Sequence, residues 1–352
     1  MKKLIVLILF ALLLGACSNP KQEIYKYSIF SFGTIIELSI TGVEKPLADQ
    51  AAAELETDFG QMHKDWHAWQ PSPLVTINEH LAKGETAPVD EKILLLLIRA
   101  KELASLSLIN DQQTFNPAMG GLLDLWGYHD DGQPSQPPEK KSIDNYLKQA
   151  PDLATLEINE GQVRSDNSAI QFDLGGFAKG YGIDRAIEHL KAMGIENAIV
   201  NAGGDLKVIG RRHDRSWRIG IRNPRKAGIM ASLDVNDGES VFTSGDYERY
   251  FMHEGKRYHH ILDPRTGYPA SEFISVTIIT QDNIQDITQN AALADAAATA
   301  LFVAGIKDWE KVADQMGIDK AMVVESNGQI HMTPEMKPRM LMTVEEIDIE
   351  NR

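Results

Sequence analysis

The segment AIQFDLGGFAKGYGIDRAIEHLKAM, residues 169–193, runs from an apolar stretch through paired glycines into a helical pattern. We predict a short strand over 169–174, then a glycine-rich turn and a helix over 180–193. Glycines let the backbone approach a ligand, and free N–H groups at a helix N-terminus favour an anion such as phosphate. The turn matches neither GxGxxG nor GxxxxGK[ST], which excludes the standard dinucleotide and P-loop motifs. Tight helix packing explains these glycines equally well.

On both sides of this segment, strand and helix patterns mix without a regular βαβ alternation. An alternating, β-branched strand is predicted over 27–41, with a bend or a close approach at Gly33. Helical periodicity predicts three further helices, over 45–67, 90–106 and 291–303. A final hairpin is predicted around Asn327-Gly328, and the proline-rich stretch 127–141 is interpreted as a surface loop within one domain. We therefore predict the α+β class rather than a doubly wound sheet.

The composition limits the classes of function. The chain has 352 residues, of which 43% are hydrophobic, so it is long enough for a sizeable core. Its formal net charge is -15 and its pI is about 5.1. Because neutralising nucleic-acid phosphates requires clustered Lys and Arg, we expect no nucleic-acid partner.

The N-terminus has the pattern of an export signal. Two lysines precede an apolar run that is too short for a relaxed transmembrane helix. The sequence LGAC, ending at Cys17, resembles the bacterial lipobox; the alternatives are an ordinary signal peptide or a membrane anchor. We predict a signal peptide over 1–16 and a lipidated Cys17 with a linker over 17–26. The protein would then be lipid-anchored on the periplasmic side of a bacterial membrane, with inner or outer membrane left open. Cys17 is the single cysteine, which excludes an intrachain disulfide.

A loop rich in chemical groups is predicted at HHILDPRTGYPA, residues 259–270. Asp263-Pro264 and Thr266-Gly267 both interrupt regular structure, so this is a shaped loop that carries two histidines. Shaped loops often hold binding or catalytic residues.

The segment ADAAAT, residues 294–299, has two interpretations, one of which is a metal site. Asp295 and Thr299 share a helix face at i and i+4, which suits a hard cation such as Mg²⁺. In the other reading, Asp295 bonds to nearby backbone and Thr299 fills the core. Three tryptophans are similarly ambiguous between stacking on a flat ligand ring and core packing: Trp66, Trp69 and Trp126.

The chain resembles the ApbE family over nearly the whole mature chain, and the resemblance rests on seven blocks that occur in the family's order. The blocks are SFGT (31–34), NPAMGGLLDLWGY (116–128), DLGGFAKGYGID (173–184), NAGGD (201–205), TSGDYERYF (243–251), YHHILDPRTGYP (258–269) and ADAAATALFVAG (294–305). The resemblance implies one α+β, two-lobed domain over 27–340, with FAD in the cleft between the lobes, and a C-terminal tail over 341–352.

The resemblance also implies an activity. Members of the family are FAD:protein FMN transferases, which use Mg²⁺ and FAD as substrate. They attach FMN to a Ser or Thr hydroxyl of a target protein through a phosphoester and release AMP. The expected partners are extracytoplasmic flavin-acceptor subunits of Na⁺-translocating NADH:quinone reductase or Rnf-type complexes. A Mg²⁺-dependent FAD pyrophosphatase and a non-enzymatic flavin-binding lipoprotein remain alternatives.

The same resemblance assigns roles to residues. His260 matches the family's catalytic base, with His259 as the alternative, and Asp263 is expected to orient either the histidine or the loop. Asp295, Thr299 and the backbone carbonyl of Ala178 match the metal ligands. Eleven residues are expected around FAD: Phe32, Trp69, Asn116, Asp173, Gly176, Lys179, Asp205, Ser244, Asp246, Arg265 and Thr266. The chain departs from the family pattern where Phe32 replaces Met, where Asn116 replaces Asp and at His67-Ala68-Trp69.

Overall fold

The computed structural model describes residues 23–129, 134–282 and 290–349. The predicted signal peptide, Cys17 and the linker up to residue 22 lie outside the described residues. Within the described ranges, no helix is long and apolar enough to cross a membrane.

Eighteen strands lie in the described residues. They are β1 (Ile24–Ser31), β2 (Thr34–Thr41), β3 (Ala87–Pro88), β4 (Leu108–Ile109), β5 (Gln112–Gln113), β6 (Glu157–Asn159), β7 (Gln162–Arg164), β8 (Ala198–Ala202), β9 (Asp205–Ile209), β10 (Trp217–Arg222), β11 (Ile229–Val235), β12 (Glu239–Gly245), β13 (Tyr250–His253), β14 (Lys256–His259), β15 (Phe273–Gln281), β16 (Lys320–Glu325), β17 (Ile330–Met332) and β18 (Leu341–Met342).

Eight α-helices lie in the same residues. They are α1 (Lys45–Asp65), α2 (Pro73–Ala82), α3 (Glu91–Ser105), α4 (Gly120–Leu125), α5 (Lys140–Leu147), α6 (Ala178–Ala192), α7 (Asn290–Ala304) and α8 (Trp309–Gln315).

The central element is an eight-stranded sheet in the order β1-β2-β8-β9-β12-β15-β16-β17. All of its pairings are antiparallel, which fits the α+β prediction. The NAGGD block forms the turn between β8 and β9, and both Gly203 and Gly204 have positive φ. A Cβ added at Gly203 would lie 2.5 Å from Oγ1 of Thr34, so this turn presses against the start of β2.

The two faces of the sheet bury different cores because successive side chains of a strand point to opposite sides. In β12, Phe242 joins the large core that contains α1, α6 and α7, whereas Val241 joins the opposite core. The opposite core is covered by a three-stranded sheet in the order β10-β11-β18.

A third, smaller core lies beside the sheet. It joins α4, α5, the β13–β14 hairpin and the loop after β14 through Leu122, Trp126, Ile143, Phe251 and Leu262. This core therefore packs beneath the predicted catalytic loop.

The start of α7 is fixed by a buried ion pair. Asp184 on α6 accepts hydrogen bonds from the backbone N–H groups of Ala291 (3.3 Å) and Ala292 (2.9 Å). The Nζ atom of Lys207 lies 2.8 Å from Asp184, and both side chains are only 2% exposed. The helix predicted to bind metal is thus held against α6 and β9.

The predicted helices over 45–67, 90–106 and 291–303 are confirmed as α1, α3 and α7. Asp90 caps α3 by accepting from the backbone N–H groups of Lys92 and Ile93. The predicted hairpin at Asn327-Gly328 is confirmed as β16–β17.

The predicted strand over 169–174 is wrong. Gln171 makes a single isolated bridge to Met119, and the neighbouring hydrogen bonds of this segment run to Pro117, Ala118 and Gly120. The segment is apolar because it is buried, but its backbone pairs with a loop.

The predicted C-terminal tail is described up to residue 349, and that part packs on the domain. Leu341 and Met342 form β18, which pairs with β11. Ile347 is buried, and its backbone N–H donates to the carbonyl of Gly328.

Candidate active site

The two adjacent histidines occupy different environments. His259 is buried; its Nε2 faces the carbonyl of Ala270 at 2.7 Å, and its Nδ1 accepts from the backbone N–H of Ile261 at 3.3 Å. A carbonyl can only accept, so Nε2 carries the proton and both nitrogens are engaged by backbone. Burial lowers the pKa of His259, which keeps the ring neutral. His259 is therefore a structural residue.

His260 is only half-buried and has one nitrogen engaged by backbone. Its Nδ1 lies 3.2 Å from the carbonyl oxygen of Arg249, which also accepts from the backbone N–H of His260. Nδ1 must carry the proton, so Nε2 holds the lone pair that a general base requires. Burial, followed by the charges of Arg249 and His259, lowers the pKa of His260 to about 3. The ring is thus neutral at pH 7.

Asp263 shapes its own loop. Its carboxylate accepts from the backbone N–H, Nε and Nη2 of Arg265, and its carbonyl accepts from the backbone N–H groups of Thr266 and Gly267. Of the two roles predicted for Asp263, these contacts support orientation of the loop. Arg265 also donates to the carbonyl of Val303 at 2.7 Å, which ties the loop to the end of α7. The oxygen Oγ1 of Thr266 accepts from the backbone N–H of Tyr268 at 3.3 Å.

The third core holds this loop from below. The Nε1–H of Trp126 donates to the carbonyl of Gly267 at 2.8 Å, and Trp126 is 1% exposed. Gly267 has φ of 76°, and an added Cβ would collide with Cγ2 of Ile143. Trp126 is therefore a core residue, and the alternative in which it stacks on a ligand ring is wrong.

A cationic and two anionic side chains meet where α6, α7 and β9 converge. The Nζ atom of Lys179 lies 2.8 Å from Asp205 and 3.4 Å from Asp295. Burial alone would lower the pKa of Lys179, but the two carboxylates raise it overall. Burial raises the pKa of Asp295 to about 6; Lys179 opposes this shift and Asp205 adds to it. The three side chains together therefore carry a net negative charge at a position that water solvates poorly.

The predicted metal ligands lie at this centre. The second oxygen of Asp295 accepts from the backbone N–H of Gly180 at 2.9 Å, in the first turn of α6, which begins at Ala178. One turn along α7, Oγ1 of Thr299 lies 3.3 Å from Oγ of Ser244. A Cβ added at Gly176 would lie 3.8 Å from the same Thr299 atom, so the glycine turn borders the site.

These groups fit a Mg²⁺ site in which the protein supplies part of the ligand set. They supply hard oxygen ligands from one carboxylate, hydroxyls and backbone, a set that Mg²⁺ completes with water and phosphate oxygens. Among the residues that the structure describes, no group of three or more His, Cys, Asp or Glu side chains could hold a metal alone. The raised pKa of Asp295 indicates that a further cation there would be stabilised.

Asp246 is fully engaged by arginines. It forms a bidentate pair with Arg225 at 2.7 Å and lies 3.3 Å from Arg257. Asn116 also has a local role, since it donates to the carbonyl of Pro151 and accepts from the backbone N–H of Ala118. Both side chains therefore hold local structure.

Aromatic rings line one end of the site. Phe32, in a positive-φ turn, stacks on Trp66 with ring centres 5.7 Å apart. Trp69 stacks on His129 at 5.0 Å, and Nε2 of His129 lies 2.8 Å from Asp173. Burial alone would raise the pKa of Asp173, but hydrogen bonds from His129 and the backbone N–H of Gly175 lower it overall.

Several of these groups lie close enough to interact electrostatically. The charge of Lys179 reaches His260, and the charge of Arg249 reaches both His260 and Asp173. Sequence reasoning placed neither Arg249 nor His129 in the site. Arg249 lies inside the TSGDYERYF block and His129 directly follows the 116–128 block. A position in or next to a motif was therefore the sequence signal that could have identified both residues.

The model of the ApbE family matches residues 32–322. The chain is 40% identical over 313 residues to the FAD:protein FMN transferase of Rhodobacter capsulatus, covering 89% of this chain and 58% of that protein. The chain thus spans less than two thirds of that relative. It is 30% identical to an FAD:protein FMN transferase of Klebsiella pneumoniae (strain 342), covering 89% of this chain and 93% of the relative.

Solved structures have the same fold. The ApbE protein from Thermotoga maritima superposes with a TM-score of 0.80 and 33% identity, covering 90% of this chain and 99% of that chain. The flavinyl transferase ApbE of Pseudomonas stutzeri, in its apo form, superposes with a TM-score of 0.76 and 26% identity, covering 92% and 98%. The residues that the family model matches include most of the main sheet, the histidine loop and the Lys179 centre. The chain belongs to the ApbE family.

Proposed function

We propose that this protein is an FAD:protein FMN transferase that moves FMN from FAD to a Ser or Thr hydroxyl of another protein and releases AMP. The observation that carries the proposal is the pairing of a neutral His260, whose Nε2 holds a lone pair, with the buried Lys179–Asp205–Asp295 centre. Relatives named FAD:protein FMN transferase support the reaction class.

The proposed step is an in-line displacement at phosphorus. The acceptor hydroxyl attacks the phosphorus of the FMN half of FAD, and its proton passes to Nε2 of His260. A new O–P bond forms as the bond from this phosphorus to the bridging oxygen breaks. AMP departs with that oxygen, and the acceptor keeps FMN as a phosphoester.

The residues of the chain then have distinct tasks. The carbonyl of Arg249 holds the tautomer of His260 that can accept the proton. Lys179 offers its charge to the phosphates. A Mg²⁺ ion held by Asp295, Thr299 and the carbonyl of Ala178 would neutralise charge on the pyrophosphate and on departing AMP.

The partner and location are also proposals. The acceptors are flavin-carrying subunits of Na⁺-translocating NADH:quinone reductase or of Rnf-type complexes, on the resemblance of the seven motif blocks. A lipid on Cys17 would hold the protein on the periplasmic side of the membrane, where such subunits expose their acceptor residues; the lipobox-like LGAC sequence supports this.

Mass spectrometry tests the proposal. The full-length protein in detergent is mixed with FAD, Mg²⁺ and an acceptor subunit, with EDTA in a parallel sample. We expect the acceptor to gain the mass of one FMN group, AMP to appear in equal amount, and both products to be lost with EDTA. His260→Ala should bind FAD but transfer none. The control His189→Ala, which breaks a surface pair with Glu54, should transfer normally.

The alternatives give different products. Free FMN and AMP without labelled acceptor would favour a pyrophosphatase, in which water replaces the hydroxyl. Bound FAD without either product would indicate a flavin-binding lipoprotein. Normal transfer by His260→Ala would refute the assignment of the base.

A further inference from the structure

His129 links two residues of the candidate site. Its side chain is 3% exposed, and its Nε2–H donates to Asp173 at 2.8 Å because the carboxylate can only accept. Its ring lies nearly parallel to the indole of Trp69, with an interplanar angle of 18° and ring centres 5.0 Å apart. Asp173 in turn accepts from the backbone N–H of Gly175, at the glycine turn. The hydrogen bond between the ring edge of His129 and Asp173 therefore fixes the orientation of the ring.

Trp69 is held by rings. Its Nε1 is buried and has no hydrogen-bond partner among the described residues. Besides His129, the ring of His67 packs edge-on against the indole at 4.5 Å. Trp69 stays partly exposed, so part of its surface remains for a ligand. Removing the His129 ring would take away the flat surface that sets the plane of the indole.

His129 also connects this end of the site to the base. The preceding residue, Tyr128, has its ring 6.3 Å from that of His260, and its carbonyl accepts from Nη2 of Arg249 at 2.8 Å. Two consecutive residues therefore contact the aromatic end and the base.

We propose that His129 is a positioning residue whose ring, anchored by Asp173, holds the indole of Trp69 in the plane that stacks on a ring of FAD. This inference rests on the proposed function, because it takes FAD as the ligand. Aromatic stacking depends on ring orientation, so an indole free to turn would bind a flat ring less tightly.

Three substitutions separate the ring from the hydrogen bond. His129→Ala removes both, His129→Gln keeps an N–H donor at the reach of Nε2 without the ring, and His129→Phe keeps the ring without the donor. The control is again His189→Ala, which removes a histidine that also pairs with a carboxylate. For each folded protein we would measure the Kd for FAD by flavin fluorescence anisotropy, and the visible circular dichroism of bound flavin.

We expect the Kd for FAD to rise about fivefold to tenfold in His129→Ala and His129→Gln, with a weaker dichroism band. In His129→Phe the Kd should stay within about threefold of wild type, although the melting temperature falls because Asp173 loses its donor. If His129→Phe does not fold, His129→Gln decides the question. A purely structural role would lower melting temperatures without changing the Kd, and that result would overturn the inference.

The test is independent of transfer. If the wild-type protein binds FAD but labels no acceptor, the proposed function fails while the Kd values still judge His129. If the wild type labels the acceptor and the ringless variants bind FAD normally, the function stands and the inference about His129 is wrong. A wild type that binds no FAD would overturn both.

Discussion

Gly180 lies where α6 touches the start of α7, and we expect Gly180→Ala to impair transfer strongly. A Cβ at this position would lie 2.6 Å from the carbonyl carbon of Ala291 and 2.8 Å from Cα of Ala292, and closer still to the carbonyl oxygen of Ala291. These are backbone atoms, so no side chain can turn aside. The two helices would have to separate.

The separation can be worked out from these contacts. Ordinary contact begins at 3.4 Å, so the carbonyl carbon must move by about 0.8 Å and the nearer carbonyl oxygen by more. Overpacking of this size costs about 1–3 kcal/mol, against about 1 kcal/mol gained from the higher helix propensity of Ala. The net loss is then about 0–2 kcal/mol, so we expect Tm to fall by no more than about 3 °C. The same movement draws Asp295 away from the backbone N–H of Gly180, from which its carboxylate accepts a hydrogen bond at 2.9 Å. Misplacement of a catalytic group by about 1 Å can slow a reaction about 100-fold.

Gly60→Ala is the matched control. Gly60 lies within α1 and has no atom within 4 Å of an added Cβ. The same substitution should raise stability there by about 0.5–1 kcal/mol and leave transfer unchanged. Thermal melts and the rate of FMN transfer at saturating FAD and Mg²⁺ would be compared for both variants. A Gly180→Ala protein with wild-type Tm and wild-type rate would show that the close approach of α6 and α7 is wrong.

Three further predictions concern the site. Asp295→Asn should raise the Mg²⁺ concentration for half-maximal transfer at least tenfold, roughly the effect of losing one charged ligand; an unchanged Mg²⁺ titration would remove Asp295 from the metal site. Gly267→Ala combines a collision with Ile143 and a φ of 76°, so it should lower Tm and reduce transfer with little change in FAD affinity; a wild-type rate would contradict the role of this turn in placing His260. The pKa of His260 falls from 6.5 to about 3 on folding, so between pH 6.5 and 3 the folded state binds fewer protons than the unfolded state. The contribution of the neutral ring to the free energy of unfolding is therefore complete above pH 6.5 and is lost as the pH falls toward 3. Urea melts of wild type and His260→Gln should show the wild type losing up to about 2 kcal/mol more between pH 6.5 and 5, an upper limit because the ring is partly exposed; equal losses would mean that His260 is not buried as a neutral ring.

The sequence by itself determined the family and much of the secondary structure. Helical periodicity located α1, α3 and α7 to within a few residues, because each buries one face over several turns. The glycine turns and the histidine loop could also be recognised in the sequence, because left-handed backbone and sharp turns favour particular local residue patterns. One local pattern misled: the apolar segment 169–174 reads as a strand, but its partners are in a loop.

The tertiary structure decided the roles of individual side chains. His259 and His260 are adjacent in sequence, yet the carbonyl groups of Ala270 and Arg249 determine which ring nitrogen holds a lone pair. Trp126 is a core residue because its indole meets Gly267, 141 positions away. Such roles follow from which groups of distant segments come within hydrogen-bonding or packing distance, and no local pattern encodes that. The motifs therefore indicated the chemistry that we propose for the site, and the long-range contacts determined which atoms are available for it.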